Sequence, residues 1–275
     1  MLFSRYNLQG KVVIITGASS GIGAACAKEF AERGCKIVLA ARDSVRLKDL
    51  EYYLQSYGHE AIAVRTDVEK EADCNFLITK AVETFGTVDV LINNAGISMR
   101  ALFEEVNLDV LRKLMSVNFW GTVYCTKYAL PYLVSNQGSV VGVTSIAGFH
   151  GLPARTGYSA SKFAMQGFLE TLRIENLKNG LHVMIAAPGF TASNVRKSAL
   201  GANGKQQGDS PRDESKMMTA QEVAKILADG IVKRKRNLIM SWEGMITVFL
   251  QRIVPRALDH LFYRHMAKEP DSPLK

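Results

Sequence analysis

A short apolar run and a glycine-rich turn lie at the start of the chain. Residues 11–15 form a continuous apolar segment of the kind that fills a strand buried on both faces of a parallel sheet. The turn at residues 16–23 reads TGASSGIG and leads into a helical pattern over residues 24–33, with Gly34 as its C-cap. Glycines allow a pyrophosphate to approach the backbone, and the positive end of a helix dipole favours phosphate. The segment therefore predicts an anion-binding site at the first strand-to-helix turn.

Strand-like and helical patterns alternate along the rest of the chain. Six further apolar runs are typical of buried strands, at residues 37–41, 61–65, 88–92, 140–144, 183–187 and 238–240. Helical patterns between them cover residues 44–56, 70–85, 108–134, 158–178 and 220–234. This alternation predicts an α/β fold in which helices cover both faces of a parallel sheet. With 275 residues and 47% hydrophobic content, we expect one such domain.

Tyr158 and Lys162 lie four residues apart in a predicted helix. That spacing places the phenol and the ammonium on one helix face, about one turn apart. A phenol has an ordinary pKa near ~10, and a nearby fixed cation lowers it. A shift of roughly 3 units, or roughly 4 kcal/mol, is within reach of one close ammonium and a cationic cofactor. The pair is therefore either an acid–base site or a chance spacing on an amphipathic helix.

Together these motifs resemble those of the short-chain dehydrogenase/reductase family of single-domain type. Its Thr-Gly-x-x-x-Gly-x-Gly motif matches residues 16–23, its Asn-Asn-Ala-Gly element matches residues 93–96, and its Tyr-x-x-x-Lys matches the pair above. The resemblance covers about residues 10–240. It implies a single doubly wound Rossmann domain over residues 1–241, with about seven mainly parallel strands, followed by an amphipathic helical extension over residues 242–275.

The resemblance also implies hydride transfer between a nicotinamide and a ketone or secondary alcohol. It assigns catalysis to Asn118, Ser145, Tyr158 and Lys162. Tyr158 would exchange the proton, and Ser145 would hold the substrate oxygen. Lys162 would lower the pKa of Tyr158 and bind the nicotinamide ribose, and Asn118 would support a relay water.

Cofactor and substrate contacts follow from the same resemblance. Cofactor binding is assigned to Gly17, Ser19, Ser20, Gly21, Ile22, Gly23, Arg42, Asp67, Val68, Asn94, Ala95, Gly96, Tyr158, Lys162, Pro188, Gly189 and Thr191. Substrate binding is assigned to Ser145, Ala147, Phe149, Leu152 and Tyr158. We expect no metal, because the cysteines and histidines show no ligand spacing.

The end of the second strand determines which nicotinamide cofactor is preferred. The acid that selects NAD in this family falls on Ala41, and the next residue, Arg42, offers a charged fork suited to a 2′-phosphate. Asp43 would pair with Arg42, compete with it for the ribose, or form the N-cap of the following helix. We favour the N-cap. Asp67 similarly either contacts the adenine side or caps a helix beginning near Glu69. The sequence therefore favours NADP(H) over NAD(H).

The long polar stretch at residues 192–216 follows Pro188 and Gly189, where this family carries its substrate-binding loop. We expect a lid over about residues 190–218, the alternative being an ordinary surface loop. Phe149 and Leu152 predict an apolar wall and a lipophilic, steroid- or lipid-like carbonyl substrate. His150 either contacts a polar group of the substrate or lies in a surface loop, and we favour the surface loop.

The tail combines apolar residues at helical spacing with arginines and a lysine, interrupted at Pro255. It would bind a membrane surface, pack against a partner subunit or cover the pocket. The net charge of +8 fits a phosphorylated cofactor and anionic lipid, whereas the pattern does not fit nucleic acid. With no secretory or membrane-spanning segment in the sequence, we expect a cytoplasmic protein, peripheral to a membrane if the tail binds one.

Other functions and assemblies are compatible with the same motifs. A 3-ketoacyl-thioester reductase of lipid synthesis shares all of them and differs only in pocket chemistry. A nucleotide-binding regulatory protein would keep the fold without turnover. The family pairs through the helices that hold Asn118 and Tyr158, which implies a homodimer or homotetramer.

Overall fold

Seven parallel strands form the centre of the protein in a computed structural model, which describes residues 6–191, 195, 198–208, 217–268 and 272–274. The strands are β1 (Val12–Thr16), β2 (Lys36–Ala41), β3 (Ala61–Arg65), β4 (Val90–Asn93), β5 (Ser139–Val143), β6 (His182–Ala187) and β7 (Asn237–Ile239). Their order is β3-β2-β1-β4-β5-β6-β7, and Ile14 lies opposite both Val38 and Leu91. Because the order reverses between β1 and β4, a crevice opens there at the carboxyl ends of the strands.

Nine α-helices lie in the described part of the chain. They are α1 (Gly21–Glu32), α2 (Ser44–Ser56), α3 (Glu71–Phe85), α4 (Leu108–Leu114), α5 (Gly121–Ser135), α6 (Thr156–Glu175), α7 (Ala220–Val232), α8 (Trp242–Leu250) and α9 (Pro255–Ala267). Fully buried Phe30 and Leu47 help to form the core under α1, α2 and α7, and Leu77 and Leu133 help to form the core under α3, α5 and α6. Full burial of each such side chain contributes about 1.5–3 kcal/mol. The two cores confirm a doubly wound arrangement.

The predicted elements are confirmed with shifts of a few residues at their ends. Arg33 is the C-cap of α1, and Gly34, the predicted cap, is the next residue and has a left-handed conformation with φ at +77°. The helix predicted over residues 108–134 is α4 and α5 joined by a π-helical turn, Met115–Trp120. Such a turn adds one residue to a helical repeat, which hydrophobic spacing does not reveal.

The C-terminal extension packs back onto the Rossmann domain. A Cβ at Gly244 of α8 would lie only 2.5 Å from Ile146 Cδ1, and Leu258 and Met266 of α9 are buried. This packing buries His150, so the expectation of a surface histidine is wrong. Within the described ranges, no helix is long and apolar enough to cross a membrane.

Candidate active site

The glycine-rich turn lies between β1 and α1 and is held rigidly against β4. Thr16 Oγ1 accepts hydrogen bonds from the backbone N–H groups of Asn94 and Ala95, both at 3.0 Å, and Asn94 Nδ2 donates to Thr16 O at 2.9 Å. Gly17 has φ at +67°, and a Cβ there would lie 2.9 Å from Ala95 Cα. Among the described groups, the Ser20 side chain caps none of the first α1 N–H groups. These N–H groups at a helix N-terminus are therefore available to an anion.

A cleft of about 580 Å³ extends from this turn across the carboxyl ends of the strands. The predicted cofactor residues that line it are Gly17, Ser19, Ser20, Gly21, Ile22, Arg42, Asp67, Val68, Asn94, Ala95, Gly96, Tyr158, Lys162, Pro188, Gly189 and Thr191. Gly23 lies behind the turn instead, where a Cβ would come within 2.3 Å of Gly17 O. The missing side chains at these glycines leave room that fits a nicotinamide dinucleotide.

At the adenosine end of the cleft, Arg42 is exposed and Asp43 is engaged elsewhere. Asp43 accepts from the Arg46 N–H at 3.1 Å as the N-cap of α2, and its other oxygen lies 3.4 Å from Arg46 Nε. The predicted cap is therefore confirmed. No carboxylate in the described ranges pairs with Arg42. Asp67 accepts from the Glu69 N–H at 3.3 Å, but α3 begins only at Glu71, so Asp67 is not its cap.

Ser145, Tyr158 and Lys162 meet at the other end of the cleft. Ser145 follows β5, and its Oγ accepts from the Ala147 N–H at 3.2 Å. Tyr158, in the first turn of α6, lines the cleft with Ser145, whose side chain lowers the pKa of the phenol. Lys162 lies one turn further along, with its Nζ 5.8 Å from the centre of the Tyr158 ring and donating to Val143 O at 2.9 Å. The predicted catalytic group is thus assembled on β5 and α6.

Burial dominates the protonation of this group. It lowers the pKa of Lys162 to about 8, and no carboxylate of the described residues pairs with the ammonium. Burial also raises the pKa of Tyr158, whereas the hydrogen bond with Ser145 and the charge of Arg155 lower it. Among the described groups, Arg155 is the cation whose charge lowers this pKa, and the predicted effect of Lys162 on the phenol stays a prediction. Tyr158 is consequently protonated at neutral pH.

Asn118 lies in the π-helical turn and is fully buried. Its Oδ1 accepts from the Ile97 N–H at 2.9 Å, and its Nδ2 donates to Ile97 O at 3.0 Å and Ser161 Oγ at 2.8 Å. A Cβ at Gly96 would lie 3.2 Å from Asn118 Oδ1 and 3.5 Å from Lys162 Nζ. The side chain thus connects the loop after β4 to α6, and its predicted part in a proton relay stays a prediction.

Comparison with known proteins agrees with this site. A family profile for short chain dehydrogenases matches residues 11–203, more than half of the chain. The chain belongs to the short-chain dehydrogenase/reductase family. A mouse protein named dehydrogenase/reductase SDR family member 7B is 35% identical over 270 residues, covering 96% of this chain and 82% of that protein. An 11-beta-hydroxysteroid dehydrogenase A of Arachis hypogaea is 36% identical over 277 residues, covering 97% and 78%.

A solved structure gives the same result. A short chain dehydrogenase/reductase from Burkholderia phymatum, in complex with NAD, aligns with a TM-score of 0.81 and 27% identity over 90% of this chain and 94% of its own. The protein is therefore a short-chain dehydrogenase/reductase that uses a nicotinamide cofactor and acts on CH–OH and C=O groups.

The substrate end of this short-chain dehydrogenase/reductase differs from expectation at two positions. Leu152 lines the cleft beside Ser145 and Tyr158. Ala147 is fully buried behind Ser145, and Phe149 packs against the core under α3, α5 and α6. Neither belongs to the described lining, because the helical turn after Ser145 points both side chains inward.

The predicted lid contributes to the cleft through part of its length. Phe190, Thr191 and Leu200 line it, and Leu200 is anchored by its N–H to Ser98 O at 2.9 Å. Residues 192–194, 196–197 and 209–216 lie outside the described residues. Met217 and Met218, at the end of this stretch, are half-buried and are not among the lining residues.

Arg155 and Met266 are among the residues that line the cleft without having been predicted from the sequence. Arg155 lies three residues before Tyr158 and near its phenol, a spacing that a helical reading reveals. Met266 reaches the cleft from α9, more than one hundred residues beyond the catalytic pair in sequence. The amphipathic pattern of the tail left covering of the pocket as one alternative, but no sequence signal singles out Met266, since its contact depends on how the extension folds back.

Proposed function

We propose that this protein is an NADP(H)-dependent reductase of a lipophilic, steroid- or lipid-like ketone, with Tyr158 as its proton donor. The observation that carries the proposal is one cleft that joins the glycine-rich turn, the unpaired Arg42 and the group formed by Ser145, Tyr158 and Lys162. The turn and the N-terminus of α1 would hold the pyrophosphate. Pro188, Gly189 and Thr191 lie beside the catalytic group and would hold the nicotinamide end.

The reaction divides between cofactor and protein. NADPH, when bound, supplies the hydride to the carbonyl carbon. The Ser145 hydroxyl, positioned by the Ala147 N–H, holds the carbonyl oxygen, and the Tyr158 phenol donates its proton to that oxygen. A phenol kept protonated by burial suits donation, and its phenolate accepts the proton in the reverse direction. Lys162, held by Val143 O, presents its ammonium to the ribose.

Arg42 supports the preference for NADP(H). It lines the adenosine end of the cleft without a carboxylate partner among the described residues, and a guanidinium binds a 2′-phosphate through paired hydrogen bonds. Asp43 lines the same cleft, but its carboxylate caps α2 and contacts Arg46, so it does not pair with Arg42.

The substrate end of the cleft supports a lipophilic substrate. Leu152, Phe190, Leu200 and Met266 provide apolar surface around Tyr158. The relative named 11-beta-hydroxysteroid dehydrogenase supports a steroid-like compound. A 3-ketoacyl thioester remains the alternative substrate, and the experiment below separates the two.

The surface supports two kinds of association. Exposed Trp120, Phe163 and Ile174 lie on or beside α5 and α6, where we propose that two copies pair.

On α8, Trp242, Met245, Ile246 and Phe249 recur at i, i+3, i+4 and i+7 and face outward. Exposed Arg252, Arg256, Arg264 and Lys268 lie nearby, so we propose that α8 and α9 contact an anionic membrane surface. Four buried, unbridged cysteines support a reducing, cytoplasmic location.

The experiment is a panel of ketones and acetoacetyl thioesters assayed with NADPH and with NADH. We expect wild-type protein to reduce lipophilic ketones at least about tenfold more efficiently with NADPH, a difference of about 1.4 kcal/mol. Arg42→Ala should remove that preference, whereas Arg112→Ala, which deletes an exposed arginine of α4, should keep it. Tyr158→Phe should bind NADPH normally and lose about 10²–10⁴-fold in kcat.

For each part of the proposal, a different result of this panel would contradict it. Equal or better rates with NADH would overturn the role of Arg42, and near-normal turnover by Tyr158→Phe would overturn that of the phenol. Activity on the thioester alone would favour the ketoacyl reductase. Tight NADPH binding with no turnover of any carbonyl would favour a regulatory protein.

A further inference from the structure

A second cavity, of about 410 Å³, lies beside the catalytic cleft. Its lining residues are His150, Gly151, Leu152, Pro153, Asp259, His260, Phe262 and Tyr263. Leu152 lines both spaces, so the two cavities meet at the loop between Ser145 and Tyr158. The second cavity is therefore next to the place where the substrate carbonyl would lie.

One face of α9 follows both cavities. Asp259, Phe262, Tyr263 and Met266 have the spacing i, i+3, i+4 and i+7, which places them in one row along a helix. Asp259, Phe262 and Tyr263 line the second cavity, and Met266, one turn further, lines the catalytic cleft. The row makes a continuous wall from the catalytic group to the outer end of the second cavity.

His150 holds that wall in place. Its Nδ1 lies 2.5 Å from Gln251 Oε1, just after α8, and its ring centre lies 4.7 Å from that of Phe262 in α9. The ring is almost completely buried, and its Nε2 has no hydrogen-bond partner among the described residues. The carboxylate of Asp259 lies nearby, with its Oδ1 3.9 Å from His150 Nε2. The ring of Phe262 and the buried His150 thus form the inner part of the cavity, and the more exposed Asp259, His260 and Tyr263 supply polar groups toward its outer part.

We propose that this second cavity is a distal substrate subsite. It receives the part of an elongated, apolar carbonyl compound that extends past Leu152 and Met266 while the carbonyl lies at Ser145 and Tyr158. Phe262, Tyr263 and Pro153 pack against the chain or ring system, and a hydroxyl at its far end is bound by Asp259 or His150. The inference rests on the proposed function and adds to it the length and the distal polarity of the substrate.

Gly151 makes the subsite testable without disturbing the catalytic group. Gly151 is exposed and lines the second cavity, and a Cβ at this position would meet no atom within 4 Å, so a larger side chain has open space at the cavity and does not enter the protein core. Gly151→Trp is designed to fill the subsite with an indole. Gly151→Ala is the matched control, because it replaces the glycine with a side chain too small to fill the cavity. Straight-chain methyl ketones of increasing length, from butanone upward, are the probes.

With wild-type protein and Gly151→Ala, kcat/KM should rise by up to about fourfold for each methylene that enters the subsite, which corresponds to about 0.8 kcal/mol. Gly151→Trp should reduce butanone normally and lose the gain with length. Equal loss for short and long ketones, or no gain with length in the wild type, would overturn the subsite.

Binding gives a readout that does not depend on turnover. In a Tyr158→Phe background, which is expected to bind NADPH and lose turnover, NADPH fluorescence of the loaded protein should report a long-chain methyl ketone with at least about tenfold weaker affinity for Gly151→Trp than for Gly151→Ala. If no ketone is reduced but this difference is found, the proposed function fails and the subsite stands. If long-chain ketones are reduced with equal affinity and efficiency by both variants, the function stands and the subsite fails.

Discussion

The protonation of single residues in the cleft is controlled by burial as much as by charge. Lys162 lies in a nearly dry environment whose neighbours are Val143 O and Met165 Sδ. Its ammonium is therefore less stable in the folded chain than in water, which is the physical meaning of a pKa lowered to about 8. A tyrosine and a lysine four apart thus define the site, but their pKa values depend on what surrounds them.

Lys162 should make folding stability rise with pH. Its pKa falls from 10.5 in the unfolded chain to about 8 in the folded one, so between these values the unfolded chain binds more protons. The penalty for burying the charge is present below the folded pKa and is relieved as pH rises toward the unfolded pKa. Relative to Lys162→Met, the free energy of unfolding of the wild type should increase by about 2 kcal/mol between about pH 7 and about pH 9.5.

Urea unfolding of both proteins across that pH range measures the difference. Every other titrating group is present in both proteins, so its effect cancels to first order. A difference that stays constant, or that falls as pH rises, would show that the ammonium is not buried in the way the structure describes.

Among the helices and strands, α1 and the π-helical turn determine how the site is assembled. The N-terminus of α1 can approach β4 closely because Gly17 and Gly23 lack side chains. The π-helical turn between α4 and α5 carries Asn118 to Ile97 and Ser161, so that one side chain joins three segments. The first feature brings the N–H groups of α1 close to the loop after β4, and the second brings the Asn118 side chain between that loop and α6.

Gly23→Ala should separate α1 from the turn. A Cβ there would lie 2.3 Å from Gly17 O and 2.7 Å from Asn94 Nδ2, and a backbone oxygen cannot move aside without shifting the turn. We expect at least about tenfold weaker NADPH binding, and a loss of about 1–3 kcal/mol in the free energy of unfolding from overpacking.

The control is Gly167→Ala on the exposed surface of α6, where a Cβ meets no atom within 4 Å. This change should leave cofactor binding intact and stabilise the helix by up to about 1 kcal/mol. Calorimetric titration with NADPH and urea unfolding measure both effects. Normal NADPH affinity in Gly23→Ala would contradict the close approach seen here.

In the molecule as a whole, the C-terminal extension has two different faces. Leu258 and Met266 are buried toward the catalytic loop, whereas Trp242 and Phe249 are 69% and 63% exposed. An amphipathic helix on a globular protein ordinarily buries its apolar face. On α8 the small residues Gly244 and Thr247 are buried and the large apolar ones face outward, which is the arrangement expected of a helix that meets a lipid surface.

Membrane binding is therefore predicted to depend on this surface and on charge. Full-length protein should co-sediment with vesicles that contain anionic lipid, and less so at high salt, since net charge is +8. Replacing Phe249 and Ile253 together by Ser should weaken binding at least about tenfold, because each loses about 1.5 kcal/mol or more of apolar burial. Leu177→Ser, at an equally exposed leucine after α6, is the control.

Two outcomes would contradict membrane contact. If the wild-type protein does not bind anionic vesicles, membrane contact is excluded. If the Phe249/Ile253 variant binds as well as the wild type, the contact lies elsewhere on the protein. A change in oligomeric state in the variant, measured by light scattering, would indicate instead that the α8 surface pairs with a second copy.

Local sequence determined the strands, most helix ends and the position of Tyr158 and Lys162, the proposed catalytic pair. A buried parallel strand, a glycine turn and a Tyr-x-x-x-Lys spacing each depend on neighbours within a few residues, so their signals are present in the sequence. The cap formed by Asp43 is of this kind, because its partner is the N–H of Arg46, three residues away. The α/β class and the phosphate turn were therefore predictable.

Only the tertiary structure decided what surrounds the catalytic pair. Ala147 and Phe149 turn away from the cleft, His150 is buried, and Met266 enters from α9, because an extension distant in sequence packs on the catalytic loop. The pKa of Tyr158 is likewise raised by burial that no four-residue spacing encodes. The order of residues specifies which groups are candidates for the chemistry, whereas desolvation and long-range packing determine their protonation and the shape of the cleft around them.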